Sequence, residues 1–479
     1  RTMIEEGQRF MPVIDGSGAL VGAITRTDLL RSLHEERFAP AAAVTAEAEQ
    51  LQVRNMRGLL EERTPEQVRN ILRVVGDIAD EYGYPAYLVG GIVRDLFLRV
   101  INYDVDIVVE GDGITFAGMI VKKLGGRMRT HQKFGTAVVV LPDGQKLDIA
   151  TARLEYYDSP AALPTVELSS IKKDLYRRDF TINTLAVRLN KTRFGELIDF
   201  FGGMRDIKER TIRILHNLSF VEDPTRVFRA IRFEQRFGFQ ISKHTQNLIR
   251  TAVDMRLFSK LSGERIYDEL VLMFSEQDAL KVIKRLQEFD LLKFLHPGIK
   301  VTPLLEQLFV SINETLTWYR LLYLDIPVER WFVYLLGLLD RVKDEAAGEA
   351  LKRLAVPLRV QKRVMAAREH CREVLFEFYR SPRVPPSRVY DLLKPLDIEQ
   401  ILLMMAKARK EPAKKYISLY LTHLRNVRVS LTGDDLGSMG IPQGPKYKTI
   451  LAGLLDARLD GLVSTRDDEV GYVKQRYLK

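Results

Sequence analysis

The sequence has only one cysteine, Cys371, among 479 residues. A single cysteine excludes a disulfide framework within the chain and a zinc site built from cysteines. No run of 18 consecutive apolar residues occurs, so no membrane-spanning helix is predicted. The first residues also lack the charged-then-apolar pattern of a signal peptide. We therefore expect a cytoplasmic protein with no membrane partner. Because the chain does not begin with Met, we also expect a piece of a longer protein.

The composition allows several folded domains and favours a polyanionic partner. With 479 residues, 46% of them hydrophobic, the chain is long enough for about three domains with buried cores. The net charge of +10 suits nucleic acid or an anionic membrane surface. Charge alone does not separate these partners from an ordinary basic protein.

Strand and helix patterns divide the chain near residue 205. An amphipathic helix over 67–84, ending at a glycine, comes first. Runs rich in β-branched residues, such as "VDIVVE", "TAVVVL" and "QKLDIAT", then alternate with helical segments. After residue 205, apolar residues recur at spacings of three and four, which is typical of packed helices. The sequence predicts an α+β protein with a mixed sheet and helices first and all-α domains afterwards.

Two aspartates, Asp104 and Asp106, stand two residues apart in the apolar run "YDVDIVVE". Side chains alternate between the faces of a strand, so both carboxylates would share one face while Val105, Ile107 and Val109 face a core. Neighbouring carboxylates repel each other unless a cation lies between them. Mg²⁺ prefers oxygen ligands and is often shared with substrate phosphates, so the pattern indicates a metal site. Two solvated acids on an exposed strand face are the alternative.

The segment "GGIVRD" follows a predicted strand and opens a helix. Gly90 and Gly91 allow backbone N–H groups to approach a phosphate, and the helix N-terminus adds the positive end of its dipole. Arg94 in the first turn can donate to phosphate oxygens. With the aspartates, this order favours a nucleoside triphosphate bound through a metal ion. Asp148, on a predicted neighbouring strand, is a further metal ligand, a base toward an attacking hydroxyl, or an ordinary strand residue.

A second charged pattern occurs in "EDPTRVFRAIRF", on a predicted helix. At about 100° per residue, Asp223 and Arg226 share a face, Arg229 lies close to it, and Arg232 has turned away. An ionised aspartate only accepts hydrogen bonds and an arginine only donates them. The pair therefore suits cytosine and adenine, whose Watson–Crick edges carry an amino donor beside a ring-nitrogen acceptor. A solvated charged face is the alternative.

Several motifs occur in an order that points to one family. They are "LVGGIVRDLFL", "YDVDIVV", "KLDIATARLEYY", "DLYRRDFTINTLAV", "LIDFFGGMRDIKERTIRIL", "VEDPTRVFRAIRFEQRFGF" and "LTGDDLGSMGIPQGPKYKTIL". Over roughly residues 70–479 the chain resembles the class II tRNA nucleotidyltransferases and bacterial poly(A) polymerases. The resemblance implies a polymerase-β-like nucleotidyltransferase head followed by helical neck, body and tail domains. It also implies extension of an RNA 3′ end by two-metal nucleotidyl transfer with Mg²⁺ and without a nucleic-acid template.

The resemblance implies a role for each matching residue. The expected catalytic residues are Asp104, Asp106 and Asp148, with Asp104 and Asp106 binding the metal. The expected nucleotide-binding residues are Gly91, Arg94, Arg178, Asn183, Asp223, Arg226, Arg229 and Arg232. Arg178 matches the family's arginine that contacts the incoming nucleotide, although a salt-bridged arginine at a helix start is the alternative. Asp223 and Arg226 match its protein template for choosing the base.

The resemblance also gives domain boundaries. Residues 1–36 hold a partial CBS motif, in which Pro12, Gly22, Thr25 and Asp28 match the second half of the motif. The later segments are a linker over 37–66, the head over 67–205, the neck with the base-recognition helix over 206–300, the body over 301–425 and an RNA-binding tail over 426–479. CBS motifs bind adenosyl ligands in pairs, so an adenosyl effector is not expected for this fragment.

The CBS-like segment favours an enzyme that adds the terminal A of tRNA, with the tRNA 3′ end and ATP as partners. One departure leaves the use of CTP, for CC or CCA addition, open. Asp158, Ser159 and Pro160 stand where many CCA-adding relatives have a basic pair before the proline. A poly(A) polymerase is the alternative within the family, and a silent RNA-binding module controlled by the CBS part is the alternative outside it. The basic stretch 406–416 is expected to contact the RNA backbone.

Overall fold

A mixed seven-stranded sheet organises the first part of the chain in this computed structural model. The structure describes residues 10–14, 16, 20–25, 55–156, 165–381 and 383–478. The strands are β1 Phe10–Ile14, β2 Leu20–Thr25, β3 Ala86–Val89, β4 Val105–Val109, β5 Arg127–His131, β6 Thr136–Val140, β7 Lys146–Thr151, β8 Arg153–Tyr156, β9 Thr165–Leu168, β10 Ala186–Arg188, β11 Leu197–Ile198, β12 Thr211–Ile212 and β13 Gln240–Ile241. The large sheet has the order β11-β10-β3-β4-β7-β6-β5. Its strands are antiparallel except for the central parallel pair, β4 and β7.

Helices cover the sheet and supply its core. They are α1 Arg57–Arg63, α2 Glu66–Tyr82, α3 Gly91–Leu98, α4 Gly113–Leu124, α5 Ile171–Tyr176 and α6 Gly203–Lys208. The predicted helix near 67–84 is confirmed as α2, and it ends at Gly83 in the left-handed conformation that glycine adopts without strain. α4 packs on β6 and β7. Val105, Ile107 and Val109 are buried, as the alternation of β4 predicted.

The rest of the chain is helical. Its helices are α7 Ser219–Glu222, α8 Thr225–Phe237, α9 Lys243–Asp254, α10 Gly263–Ser275, α11 Ala279–Glu288, α12 Pro303–Leu321, α13 Arg330–Leu339, α14 Asp344–Arg353, α15 Leu358–Arg380, α16 Pro386–Leu393, α17 Ile398–Lys407, α18 Glu411–Thr422, α19 Gly433–Ser438, α20 Lys446–Leu459 and α21 Arg466–Tyr477. The last three helices share a buried cluster that includes Leu436, Leu454 and Val473. The subdivision into neck, body and tail stays a prediction.

The chain separates into two compact units close to the predicted switch from strands to helices. We call Arg1–Glu209 with Arg213–Leu215 the head unit, and Arg210–Ile212 with His216–Lys479 the helical unit. The predicted linker 37–66 includes α1, in which Leu60 is buried. Asp28 of the predicted CBS motif and residues 158–160, where the chain departs from the family pattern, lie outside the described residues. None of the described helices is both long enough and apolar enough to span a bilayer.

Candidate active site

Three aspartates come together on the central strands of the head unit. The parallel register of β4 and β7 pairs Asp106 directly with Asp148. Asp104 lies one residue before β4, so strand alternation places it on the same face as Asp106. The charges of all three act on one another, since Asp104 influences both of the other carboxyls. The structure therefore groups the three carboxylates that the sequence singled out.

Burial and mutual repulsion disfavour charge on this face. Burial raises the pKa of Asp106 to about 6; Arg178 opposes the rise, and Asp148 and Asp104 add to it. Burial and Asp104 also raise the pKa of Asp148. Within the described part of the chain, no three His, Cys, Asp or Glu side chains are placed to enclose a metal ion by themselves. A hard divalent cation fits these oxygen donors when substrate oxygens and water complete its coordination.

A glycine turn brings the backbone against the carboxylates. It joins β3 to α3, and Gly90 has a φ of 78°. A Cβ atom at Gly90 would lie 3.1 Å from Asp106 Oδ2 and 3.2 Å from Arg178 Nη1. Any side chain there would push against both groups in a backbone conformation that already favours glycine. Gly91 is the first residue of α3, as the "GGIVRD" pattern predicted.

Arg94 and Asn183 lie beneath this turn in a buried network. Arg94 Nη1 donates to Asn183 Oδ1 at 2.7 Å, and Arg94 Nε donates to Asp95 Oδ1 at 2.8 Å. Asn183 Nδ2 donates to Asp179 Oδ1 at 2.9 Å. These bonds connect α3 to the 3-10 turn Thr181–Asn183. The described contacts therefore stabilise the glycine turn from below, and a phosphate contact of Arg94 stays a prediction.

Arg178 follows the end of a helix, so the alternative of a helix start is wrong. α5 ends at Tyr176, and Arg178 Nη2 pairs with Asp174 Oδ2 at 3.2 Å. Burial alone would raise the pKa of Asp174, but Arg177 and Arg178 outweigh burial and lower it. The Nη1 atom of Arg178 lies on the side of Gly90, where its charge favours ionised Asp106. Arg178 thus bridges a buried carboxylate and the face predicted to bind the nucleotide.

In the helical unit, Asp223 lies between two helices. α7 ends at Glu222, α8 begins at Thr225, and the backbone of Asp223 is extended. The expectation that Asp223 shares a helix with Arg226 is therefore wrong. Asp223 Oδ1 accepts from Thr225 N at 3.0 Å, from Thr225 Oγ1 at 2.6 Å and from Arg265 Nη2 at 2.7 Å. The carboxylate caps the start of α8 through this one oxygen.

The arginines of α8 differ in their surroundings. Arg226 is buried, and its Nη1 donates to Ser219 Oγ at 2.8 Å. Arg229 is more exposed, and its Nη1 lies 3.7 Å from Glu269 Oε1. Arg232 Nε lies 3.4 Å from Glu269 Oε2, and burial lowers the pKa of this guanidinium. Arg229 and Arg232 therefore share Glu269 as a partner, and a turn of Arg232 away from Asp223 stays a prediction.

The sequence alone did not single out several hydrogen-bond and ion-pair partners of these residues. They are Asp95 and Asn102 in the head unit, and Ser219, Arg265 and Glu269 in the helical unit. Asp95 had a local signal, because it directly follows Arg94. Arg265 and Glu269 stand four residues apart on α10, which places them on one face. That spacing does not reveal which helix the face contacts.

Two family models match the chain. Residues 86–213 match the model described as "Poly A polymerase head domain", which contains the carboxylates and the glycine turn. Residues 238–302 match "Probable RNA and SrmB- binding site of polymerase A". The matches follow each other in the order of the two units.

Relatives and solved structures cover most of the chain. An A-adding tRNA nucleotidyltransferase from Geobacter sulfurreducens is 47% identical over 98% of this chain and 54% of the relative, so the chain spans about half of its length. A CCA-adding enzyme in an apo form has a TM-score of 0.73 and 39% identity, over 89% of this chain and 100% of that chain. The Thermotoga maritima CCA-adding enzyme complexed with tRNA has a TM-score of 0.70 and 37% identity, over 89% and 99%.

Proposed function

Because the chain belongs to the family of tRNA nucleotidyltransferases and bacterial poly(A) polymerases, we propose that it adds the terminal A to tRNA from ATP, without a nucleic-acid template. The register of β4 and β7 carries the proposal, since it sets Asp106 opposite Asp148 with Asp104 alongside. A glycine turn beside such a face suits transfer of a nucleotidyl group from a triphosphate. The 47% identity with an A-adding relative favours A over C.

The carboxylate face supplies the chemistry. We assign Asp104 and Asp106 as ligands of Mg²⁺, which when bound would lower the pKa of the RNA 3′-hydroxyl and neutralise charge on the triphosphate. Asp148, opposite Asp106, would accept the hydroxyl proton or complete the ligand set. The 3′-oxygen would attack the α-phosphorus of ATP and pyrophosphate would leave, while backbone N–H groups at Gly91 and the guanidinium of Arg178 hold the phosphate oxygens.

Asp223 and Arg226 would select the base. Asp223 Oδ1 is already occupied by Thr225 and Arg265, whereas Oδ2 accepts no hydrogen bond from the described residues. Oδ2 would accept from the amino group of adenine or cytosine, and Arg226 would donate to the adjoining ring nitrogen. Uracil and guanine would place an acceptor against a carboxylate and leave buried groups unpaired, at a cost of about 1–3 kcal/mol.

Nucleotide incorporation into defined RNAs tests the proposal. Labelled ATP and CTP are supplied separately with tRNA transcripts that end at the discriminator base, at C and at CC, and with a generic RNA oligomer. We expect one A on the transcript that ends in CC and no C on any substrate. Addition of C to the shorter transcripts would contradict an enzyme that adds only A and would identify a CC- or CCA-adding enzyme.

The generic oligomer separates the two activities within the family. Long adenylate tails on it would identify a poly(A) polymerase and contradict selectivity for tRNA. No incorporation into any RNA, together with retained tRNA binding, would contradict the enzyme and favour a silent RNA-binding module.

A further inference from the structure

The loop between α3 and β4 leads directly into Asp104, and the sheet does not hold its last residues. The ladder between β4 and β7 begins at Val105, one residue after Asp104. Val100, Ile101 and Tyr103 are exposed, so burial of apolar side chains does not fix the loop. Gln145 Nε2 donates to Tyr103 O at 2.9 Å, and a second polar contact fixes the N–H of Asp104 itself.

Asn102 makes that contact. Its Oδ1 accepts from the backbone N–H of Asp104 at 2.8 Å, and its Nδ2 donates to Asp95 Oδ2 at 2.8 Å. Asp95 is 1% exposed, and its other oxygen accepts from Arg94 Nε at 2.8 Å. Asn102 Nδ2 also lies only 3.5 Å from the position of a Cβ at Gly91. One chain of hydrogen bonds thus runs from beneath the glycine turn to Asp104.

We propose that Asn102 is a positioning residue that holds Asp104 in place for the metal and couples it to the glycine turn. The proposal rests on the proposed function, because it assumes that Asp104 is a metal ligand. A primary amide is suited to this position, since one short side chain carries both a donor and an acceptor. A carboxylate at 102 could not donate to ionised Asp95, and alanine could make neither bond.

The loss of the amide has two physical consequences. Asp95 Oδ2 would remain buried without its donor, and the backbone at Asp104 would gain freedom. Groups that orient metal ligands typically change metal affinity or activity by about 10- to 100-fold when they are removed. The effect should therefore fall on metal binding and not on tRNA binding.

The test measures metal binding directly. Mn²⁺ is titrated into the full chain without RNA, and free Mn²⁺ is followed by electron paramagnetic resonance. We expect Asn102→Ala to weaken Mn²⁺ binding by about 10-fold or more, and to raise the Mg²⁺ concentration needed for half-maximal A addition in parallel. The KM for tRNA should not change. The matched control is Gln67→Ala, which removes an exposed amide whose hydrogen bond goes to Asp143 Oδ2, in the turn between β6 and β7, and not to the loop before Asp104.

A second variant, Asn102→Ser, tests the proposal even if Asn102→Ala does not fold. In Asn102→Ser the hydroxyl can still accept from the N–H of Asp104 but is too short to reach Asp95, so its Mn²⁺ affinity should lie between wild type and alanine. Equal Mn²⁺ affinity in Asn102→Ala and Gln67→Ala would overturn the proposal, as would wild-type affinity in Asn102→Ser if the alanine variant does not fold. A wild-type chain that binds Mn²⁺ but adds no nucleotide to any RNA would instead contradict the proposed function.

Discussion

The head unit and the helical unit arrange charge in opposite ways. In the head unit, Asp104, Asp106 and Asp148 face one another; burial and then these neighbours raise the pKa of Asp106, and Arg178 opposes the rise. In the helical unit, carboxylates meet arginines. The ion pairs are Asp223 with Arg265, Glu222 with Arg226, and Glu269 with both Arg229 and Arg232. The first arrangement has an excess of negative charge, whereas in the second each of the three carboxylates has at least one of four arginines as its partner.

This difference matches two kinds of recognition. A group of carboxylates with excess charge becomes favourable when a cation joins it, so its residues are suited to a metal and a triphosphate. A balanced pair of fixed donors and acceptors has little need of a cation and instead favours the ligand whose hydrogen bonds fit. Neutralising substitutions should therefore affect the two units differently.

The largest effect is expected from the loss of a head carboxylate. Asp106→Ala should lower A addition by about 10³-fold or more, because metal-assisted charge stabilisation is worth several kcal/mol. Single-turnover incorporation measures the loss, and filter binding should show unchanged tRNA affinity. Asp77→Asn, an exposed aspartate on α2, is the control and should have wild-type rates. Wild-type turnover in Asp106→Ala would remove the metal assignment.

Because the carboxylates of the helical unit are paired with arginines, the loss of one of them should strongly lower the free energy of unfolding. Glu269→Ala removes the ion-pair partner of Arg232, whose side chain is 9% exposed. Breaking a buried pair on one side typically costs about 3–5 kcal/mol of unfolding free energy. Urea denaturation checks this value. Lys281→Ala, which breaks the exposed pair with Asp278 and keeps the Asp278 cap of α11, should cost less than about 1 kcal/mol. Similar losses in both variants would show that burial does not distinguish the two pairs.

Local patterns predicted the head site better than the helical site. Alternation along β4 was sufficient to put Asp104 and Asp106 on one face, because strand geometry depends on neighbouring residues. The three-residue spacing of Asp223, Arg226 and Arg229 predicts one continuous helix, whereas Asp223 precedes the helix. Pro224 carried the missing signal, since the residue before a proline avoids helical backbone.

Long-range partners could not be predicted at all. Arg265 lies 42 residues from Asp223, and no local period connects them. The strand order that brings β7 beside β4 likewise depends on packing of the whole sheet. Even Asn102, only two residues from Asp104, gave no signal, because its second bond depends on how the loop returns to Asp95.

A smaller effect is expected on discrimination between nucleotides when the charge of Asp223 is removed. Asp223→Asn replaces an acceptor with a group that also donates, so discrimination between ATP and UTP should fall by about 10- to 100-fold, equivalent to about 1–3 kcal/mol. The measurement is kcat/KM for each nucleotide on tRNA ending in CC. Asp254→Asn, at the end of α9, serves as the control. Unchanged discrimination in Asp223→Asn would exclude this carboxylate from base choice.

The smallest expected effect is on the free energy of unfolding, and its sign distinguishes the head carboxylates from those of the helical unit. Because the pKa of Asp106 is raised from 3.8 to about 6, the folded chain binds this proton more tightly than the unfolded chain. The contribution of Asp106 to the stability of the metal-free protein should therefore fall as pH rises from about 4 to above 6. Asp106→Asn lacks the charge, so in EDTA at about pH 8 it should be more stable than wild type by about 1–2 kcal/mol, and equal to it near pH 4.

Thermal or urea unfolding with and without metal completes this test. Mg²⁺ should stabilise wild type more than Asp106→Asn, because a ligand that binds only the folded state stabilises it in proportion to its affinity. Asp223→Asn should behave oppositely and lose stability both with and without metal, since its carboxylate is paired with Arg265. If Asp106→Asn were destabilised in EDTA, the carboxylate would already be balanced within the head unit, and the site would need no cation to complete it.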